Sequence, residues 1–107
     1  MATTRPFKII YAVQVKDHLK FIERKYHSLI RETIDNQLRF EPDVETRNRK
    51  PMEQPVKDEA DWELRLGPNN RFRAFYLISI GQREVYIVAI GVKQGNKLFI
   101  GGEEVEL

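Results

Sequence analysis

Alternating apolar and polar positions dominate the last part of the chain and predict four consecutive β-strands between residues 62 and 100. In the first of them, Trp62 and Leu64 lie on one side and charged residues on the other, which is the period of a strand with one buried face. The second strand follows a Pro-Asn-Asn turn, and its arginines Arg71 and Arg73 face away from its apolar series. The predicted sheet therefore has one apolar face, to be covered, and one face that carries arginines and is free for chemistry.

The third strand of this series is predicted to lie at the centre of the sheet. Residues 84–90 are apolar on both faces, as expected of a strand that is covered on both sides. Residues 91–96 begin with a glycine and contain a second one, and they predict a loop. Residues 97–100 predict a short last strand, and the remaining tail is long enough for a turn or one added strand.

The N-terminal part of the chain predicts a strand followed by helix. Residues 6–14 alternate in the manner of a strand. Hydrophobic residues then recur every three or four positions: Leu19, Ile22, Tyr26, Ile30, Ile34 and Leu38. The periodic segment is long for one helix in a small domain, and Ser28 can cap a second helix. We therefore expect a helical hairpin or one kinked helix.

Residues 41–61 connect the helical part to the strands and show no periodic pattern. They contain three prolines and many charges, and a connection of this length is expected to be functional or partly disordered. The order of elements predicts a single domain over residues 1–107 of the α+β class. In this fold, the N-terminal strand and the helical hairpin pack on one face of a mainly antiparallel sheet of four to five strands.

Composition narrows the class of protein. The chain has 107 residues, of which 41% are hydrophobic and 32% charged, as in one compact domain. It contains no cysteine, no apolar run of membrane-spanning length and no signal-peptide pattern, so we expect a soluble cytoplasmic protein without a membrane partner. No spacing of His, Asp and Glu suits a metal, and we expect no metal ion and no cofactor.

Charge is distributed unevenly along the chain. Residues 1–40 and 62–100 are basic, whereas residues 41–61 and 101–107 are acidic, and the formal net charge is +2. A basic face on a small domain is typical of a protein that binds an anionic partner such as nucleic acid, but many solvated surfaces have the same composition. Charge alone leaves both explanations open.

Three segments carry a more specific pattern: WELRL at 62–66, NRFRAFY at 70–76, and IVAIG at 87–91 with a basic loop after it. Together with the order of elements, they resemble the RelE/ParE superfamily of toxins from toxin–antitoxin systems. The resemblance implies a toxin that a partner antitoxin silences. Some members cleave messenger RNA on the ribosome, and another branch poisons DNA gyrase. A cognate antitoxin, the ribosome and messenger RNA are thus the implied partners, and the free toxin is expected to be a monomer.

Metal-independent cleavage of RNA sets the chemical requirements of the implied site. The ribose 2′-hydroxyl attacks the adjacent phosphate, so the site must remove one proton, supply another and stabilise a phosphorane. By resemblance, Arg65 and Arg73 stabilise the transition state, and Lys93 binds phosphate or handles a proton. Glu63 and Tyr76 are further helpers. The Glu63 carboxylate can act as a general base, or it can hold Arg65 in a salt bridge.

Further residues are candidates for RNA contact: Arg71, Lys97, Phe99, Arg47, Arg49 and Lys50. For the basic run at 47–50, a solvated surface is the more frequent explanation. Phe99 can stack on a base but cannot transfer a proton. His18 and His27 belong to the predicted helical layer, where a surface or capping role is more frequent than catalysis.

Two functions therefore remain open. The first is a ribosome-dependent messenger RNA endoribonuclease that inhibits translation, which the pair of arginines on the open face favours. The alternative is a non-cleaving ParE-like toxin directed at gyrase, or a degenerate module that binds only its antitoxin. Glu63 and Phe99 favour this alternative, because ribonuclease members often have a lysine and a tyrosine at these positions.

Overall fold

The computed structural model describes residues 5–53 and 60–106 and confirms the predicted α+β class. Its helical elements are α1 (Val15–Leu19), a first 3₁₀ turn (Arg24–Tyr26), α2 (His27–Leu38) and a second 3₁₀ turn (Pro68–Asn70). Its strands are β1 (Lys8–Tyr11), β2 (Arg49–Pro51), β3 (Trp62–Leu66), β4 (Phe72–Ser79), β5 (Glu84–Gln94), β6 (Lys97–Ile100) and β7 (Glu103–Val105).

The seven strands form one sheet in the order β2-β3-β4-β5-β6-β7, with each neighbouring pair antiparallel. β1 lies off this path and pairs in parallel with the first half of β5, whereas β6 pairs with the last residues of β5. β5 is thus the central strand, as predicted. The sheet has more strands than the expected four to five because β2 and β7 have three residues each, too few to show an alternating pattern.

The helical layer is broken earlier than its sequence suggests. α1 ends at Leu19, and Ser28 lies inside α2 rather than at its cap, so the predicted capping role is wrong. His27 holds the break instead, because its Nε2 atom lies 2.9 Å from the carbonyl oxygens of Leu19 and Ile22. The predicted hairpin is therefore a short helix and a longer one, joined through a 3₁₀ turn.

The main hydrophobic core lies between this helical layer and one face of the sheet. α2 contributes its buried residues Ile30, Ile34 and Leu38, at the spacing the periodicity predicted. Tyr76 of β4 is fully buried on this face, and its hydroxyl donates a hydrogen bond of 2.8 Å to the carbonyl oxygen of Pro42.

The opposite face of the sheet is partly covered, although the sequence predicted it to be free. A second apolar cluster lies there: Ala60, Phe75, Val88, Ala89, Leu98 and Ile100. Met52, which follows β2, and Val105 of β7 pack against this cluster and cover part of this face. The charged residues Arg65, Arg73 and Lys93 share the face by strand register but lie toward one end of it.

β5 continues through the segment that was predicted to be a loop and ends at Gln94. Gly91 is a residue of β5. A Cβ atom there would lie 3.0 Å from side-chain atoms of Leu98 and Ile100. The glycine serves close packing of β5 against β6 rather than a turn, so the loop prediction is wrong. Lys93 consequently projects from a strand.

Candidate functional site

An open cleft of about 590 Å³ lies where the second 3₁₀ turn and the start of β4 meet the end of β5. Three cationic side chains line it, Arg71, Arg73 and Lys93. All three were candidates from the sequence. Tyr26 also lines the cleft, although its helical spacing had assigned it only to the core.

The rim of the cleft is built by a turn with unusual backbone geometry. Gly67 has φ 83° and ψ 178°, a region that is essentially restricted to glycine. Asn69 and Asn70 follow with φ of 55° and 52°, in the left-handed region that asparagine tolerates better than most residues. This turn directs the carbonyl oxygen of Asn70 toward Arg73, whose Nη1 atom donates a hydrogen bond to it.

Arg73 lines the cleft and is only 8% exposed. Besides its bond to Asn70, its Nη1 atom donates to the carbonyl oxygen of Phe72 at 3.2 Å, and its Nε atom lies 2.9 Å from Oε1 of Glu63. Burial lowers the pKa of the Arg73 guanidinium, and the positive charge of Arg65 acts in the same direction, while Glu63 opposes both. The guanidinium of an arginine nevertheless stays charged. Arg73 therefore presents a positive charge that its hydrogen bonds and ion pair hold in one position.

Glu63 connects the two arginines that the sequence singled out. Arg65 and Arg73 are directly opposite each other on β3 and β4, and the Arg65 Nε atom lies 3.9 Å from Oε2 of Glu63. The structure thus contains the salt bridge that was the alternative to a general-base role for Glu63. Arg65 does not line the cleft, but it is the cross-strand neighbour of Arg73, which does.

Lys93 differs from the two arginines of the cleft. Its backbone N–H donates a hydrogen bond of 2.7 Å to the carbonyl oxygen of Arg71, so the end of β5 is fastened to the residue before β4. In residues 5–53 and 60–106, no carboxylate lies within salt-bridge distance of its ammonium group. This charge is available to an incoming anion.

Arg71 connects the cleft to the helical layer. Its Nη2 atom lies 2.9 Å from Oε1 of Glu23, in the segment between α1 and α2, and its guanidinium carbon lies 5.6 Å from the Tyr26 ring centre and 5.3 Å from that of Phe72. The hydrogen bond lowers the pKa of Glu23 and raises the pKa of Arg71. The guanidinium is therefore held on aromatic faces while about a third of the side chain stays in water.

The basic run of residues 47–50 does not form one surface. Arg49 is buried on the helix side of the sheet, and its Nη1 atom donates to the carbonyl oxygen of Gln37 near the end of α2, so it is positioned to support the fold rather than to contact RNA. Lys50 is exposed opposite Glu63, on the same face as Arg73. Arg47 is exposed as well.

Lys97 and Phe99 lie on the other side of the sheet from Arg73. Phe99 is paired with Val92, a residue of the main core, and Lys97 is paired with Gln94 at the tip of the β5–β6 hairpin. The predicted site residues that belong to strands are therefore divided between the two faces of the sheet. Strand alternation separates Phe99 from Lys93, even though the two strands are neighbours.

The remaining candidates for proton transfer lie away from the cleft lining. The Nδ1 atom of the buried His18 accepts a hydrogen bond of 3.2 Å from the Ile90 N–H, and His27 holds the helical break. Burial raises the pKa of Tyr76, and its enclosed hydroxyl cannot reach a substrate in the cleft, so its proposed helper role is wrong. No group of three or more metal-ligating side chains occurs in the described parts of the chain.

Comparison of this chain with models of protein families, with curated proteins and with solved structures found no match. Within the described residues, no helix has the length and apolar character needed to cross a membrane. The function must therefore be argued from the cleft and its chemistry.

Proposed function

We propose that this protein is a RelE-like toxin that cleaves messenger RNA on the ribosome without a metal ion and so inhibits translation in the cytoplasm. The observation that carries the proposal is the open cleft in which Arg71, Arg73 and Lys93 meet. With the adjacent Arg65, these cations outnumber the two carboxylates that pair with them. Such an excess of positive charge in a concave site attracts a phosphodiester.

The three cations of the cleft have different environments and therefore different roles. Lys93 is unpaired by carboxylates of the described residues and binds the incoming phosphate first. Arg73 is held by two backbone carbonyl oxygens and Glu63, so it is preorganised to stabilise charge that develops on the phosphorane. Arg71 has a guanidinium plane fixed on aromatic rings and gives a second, oriented contact.

The proton transfers need two further groups. As the 2′-oxygen forms its bond to phosphorus and the 5′-oxygen leaves, the proton of the 2′-hydroxyl passes to Glu63, which must first give up its pairing with Arg65. Tyr26 lines the cleft and carries a hydroxyl that can protonate the departing 5′-oxygen, a role for which Lys93 is the other candidate. The products are a 2′,3′-cyclic phosphate and a free 5′-hydroxyl.

The proposal includes the partners that the family resemblance implies. These are the ribosome with its messenger RNA, and a cognate antitoxin that silences a monomeric toxin. An antitoxin segment with acidic side chains would neutralise the cleft by the same charge complementarity that attracts RNA.

The test is induced expression of the wild type beside Lys93→Ala, Arg73→Lys and the control Arg39→Ala. Arg39 is an exposed arginine of similar size that lies after α2 and pairs with Asp35 at 3.7 Å. Growth, bulk translation and primer extension on one transcript are measured. We expect arrest and new 5′ ends with the wild type and with the control, and a loss of cleavage of about 10²- to 10³-fold when a transition-state contact is removed. Lys93 is only partly buried and makes no salt bridge with a carboxylate of the described residues, so its variant separates lost chemistry from lost folding.

A second candidate function is supported by the double pairing of Glu63. Because this carboxylate is joined to both Arg65 and Arg73, part of the charge of the arginine pair is neutralised. A toxin that binds a protein such as gyrase, or a module that binds only an antitoxin, needs no free catalytic base. Growth arrest without new RNA ends, together with inhibition of DNA supercoiling by purified gyrase, would support the gyrase-directed toxin. The absence of arrest would support the antitoxin-binding module.

A further inference from the structure

A second, smaller concavity of about 210 Å³ lies beside the cleft, on the helix side of the sheet. Its walls include Phe21 and Phe99, with Arg71 and Gln94 at polar positions. Pockets for drug-sized ligands usually measure about 300–1,000 Å³. The pocket therefore suits one planar ring system rather than a larger molecule.

Phe21 is a lining residue of this pocket with an unusually large solvent exposure. It lies between α1 and the first 3₁₀ turn, and 62% of its surface is exposed to solvent, a large fraction for an aromatic residue. A Cβ atom added to Gly102 would lie 2.5 Å from a carbon of the Phe21 ring. The ring thus rests against the bare backbone of the β6–β7 turn, which holds it at the pocket while leaving it accessible.

The pocket also has polar side chains in its lining. His18 is buried there, and its Nδ1 atom accepts a hydrogen bond from the Ile90 N–H. Gln94 is exposed, and its side-chain amide offers both donors and an acceptor. Two rings to stack on and an amide to bond an edge are the features with which proteins bind unstacked bases of single-stranded RNA.

Arg71 belongs to the lining of both the pocket and the cationic cleft. The two concavities therefore share one lining residue, and its side chain is cationic. A nucleotide has the matching arrangement, because a negatively charged phosphate is linked to a planar base.

We infer that the pocket formed by Phe21, Phe99, Gln94 and Arg71 binds one base of the RNA strand whose phosphate occupies the cleft. This inference rests on the proposed function, and it assigns a base-binding role to a residue between α1 and the first 3₁₀ turn and to residues of the β5–β6 hairpin. The RNA base is thus bound in the pocket on the helix side of the sheet, and the RNA is cleaved in the neighbouring cleft.

The experiment measures binding of a fluorescent 2′-O-methyl RNA strand, which cannot be cleaved because it has no free 2′-hydroxyl. A second strand has the same number of phosphates but only abasic positions. Fluorescence anisotropy at low salt gives the affinity of the full chain for each strand. The variants are Phe21→Ala, Phe21→Trp, Lys93→Ala in the cleft, and the control Phe40→Ala, which removes a phenylalanine that is 48% exposed and does not line the pocket.

We expect Phe21→Ala to weaken binding of the base-containing strand by about 5- to 150-fold, the range for loss of one stacking contact, and to leave the abasic strand unaffected. Phe21→Trp retains binding, and Phe40→Ala resembles the wild type. If Phe21→Ala binds both strands like the wild type while Lys93→Ala weakens both, the pocket is overturned and the RNA-binding cleft stands. If Phe21→Ala weakens both strands equally, base recognition is overturned. If the wild type binds neither strand, the inference fails, whereas the proposed function, which requires the ribosome, is decided separately by the primer extension on a transcript.

Discussion

Replacement of Gly67 by alanine tests how the rim of the cleft is built. With φ 83° and ψ 178°, Gly67 occupies a backbone region that costs a residue with a Cβ atom about 1–3 kcal/mol. The new Cβ would also overlap the ring of Phe72 and lie 2.9 Å from its Cε2 atom. Phe72 is fully buried, so its ring cannot move into solvent, and such overpacking costs about 1–3 kcal/mol. We expect Gly67→Ala to lower the free energy of unfolding by about 2–6 kcal/mol.

Two other glycines separate these contributions. Gly95 has φ 60° but no atom within 4 Å of an added Cβ, so Gly95→Ala should cost about 1–2 kcal/mol from the backbone alone. Gly81 has no atom within 4 Å of an added Cβ and no positive φ, so Gly81→Ala should change stability by less than about 0.5 kcal/mol. Urea denaturation followed by circular dichroism measures all three. At an m-value of about 2 kcal/mol per M, the Gly67 variant loses about 1 M or more in midpoint.

The decisive result is the order of the three variants in their free energy of unfolding. A Gly67→Ala protein as stable as Gly95→Ala would show that the Phe72 ring yields without cost and that steric overlap does not fix the turn. A Gly67→Ala protein as stable as the wild type would refute both parts of the argument.

Three further predictions concern residues whose roles the structure revises or explains. Arg49→Ala removes a buried guanidinium that donates a hydrogen bond to a carbonyl oxygen of α2, and it should lower the free energy of unfolding by about 1–3 kcal/mol. Arg47 is exposed, so Arg47→Ala should change the free energy of unfolding by less than about 0.5 kcal/mol. Equal losses of the two variants in urea denaturation would contradict this. Tyr76→Phe leaves a buried carbonyl oxygen without its donor and should cost about 1–2 kcal/mol in the same assay, so an unchanged midpoint would argue against that bond. Because the bond from Arg71 lowers the pKa of Glu23 in the folded state, this pair stabilises the fold above the ordinary glutamate pKa and loses that effect as the pH falls through the lowered value. Arg71→Gln should therefore be less stable than the wild type at neutral pH and low salt, with the difference shrinking as the pH falls below the ordinary glutamate pKa. A difference independent of pH would count against the pair.

The strands that the sequence predicts well are those whose local pattern matches their final environment. β3, β4 and the central part of β5 carry enough alternating or continuous apolar residues to be recognised. Gly91 misled the prediction because glycine has two uses that look identical in a sequence. It can permit a turn, or it can allow another strand to approach closely, and only the contacts of Leu98 and Ile100 distinguish them.

The candidate site was predictable in part for the same reason. Arg71, Arg73 and Lys93 are basic residues at the ends of neighbouring strands, and the structure brings them into one cleft. Tyr26 could not be assigned to that cleft, because its helical spacing is equally typical of a core residue. The buried position of Arg49 was also not predictable, since it depends on where the end of α2 lies over β2.

By itself, the sequence determined the class of fold, the central position of β5 and the arginine-bearing face, because these follow from side-chain periodicity, which is a local property. Tertiary structure alone decided which charges are paired, which face each candidate occupies and which two concavities share Arg71. Those features depend on register and on contacts between residues far apart in the chain, such as Glu23 with Arg71 and Phe21 with Gly102. No local pattern encodes such contacts, because each partner has the same appearance in the sequence whether or not the other is near.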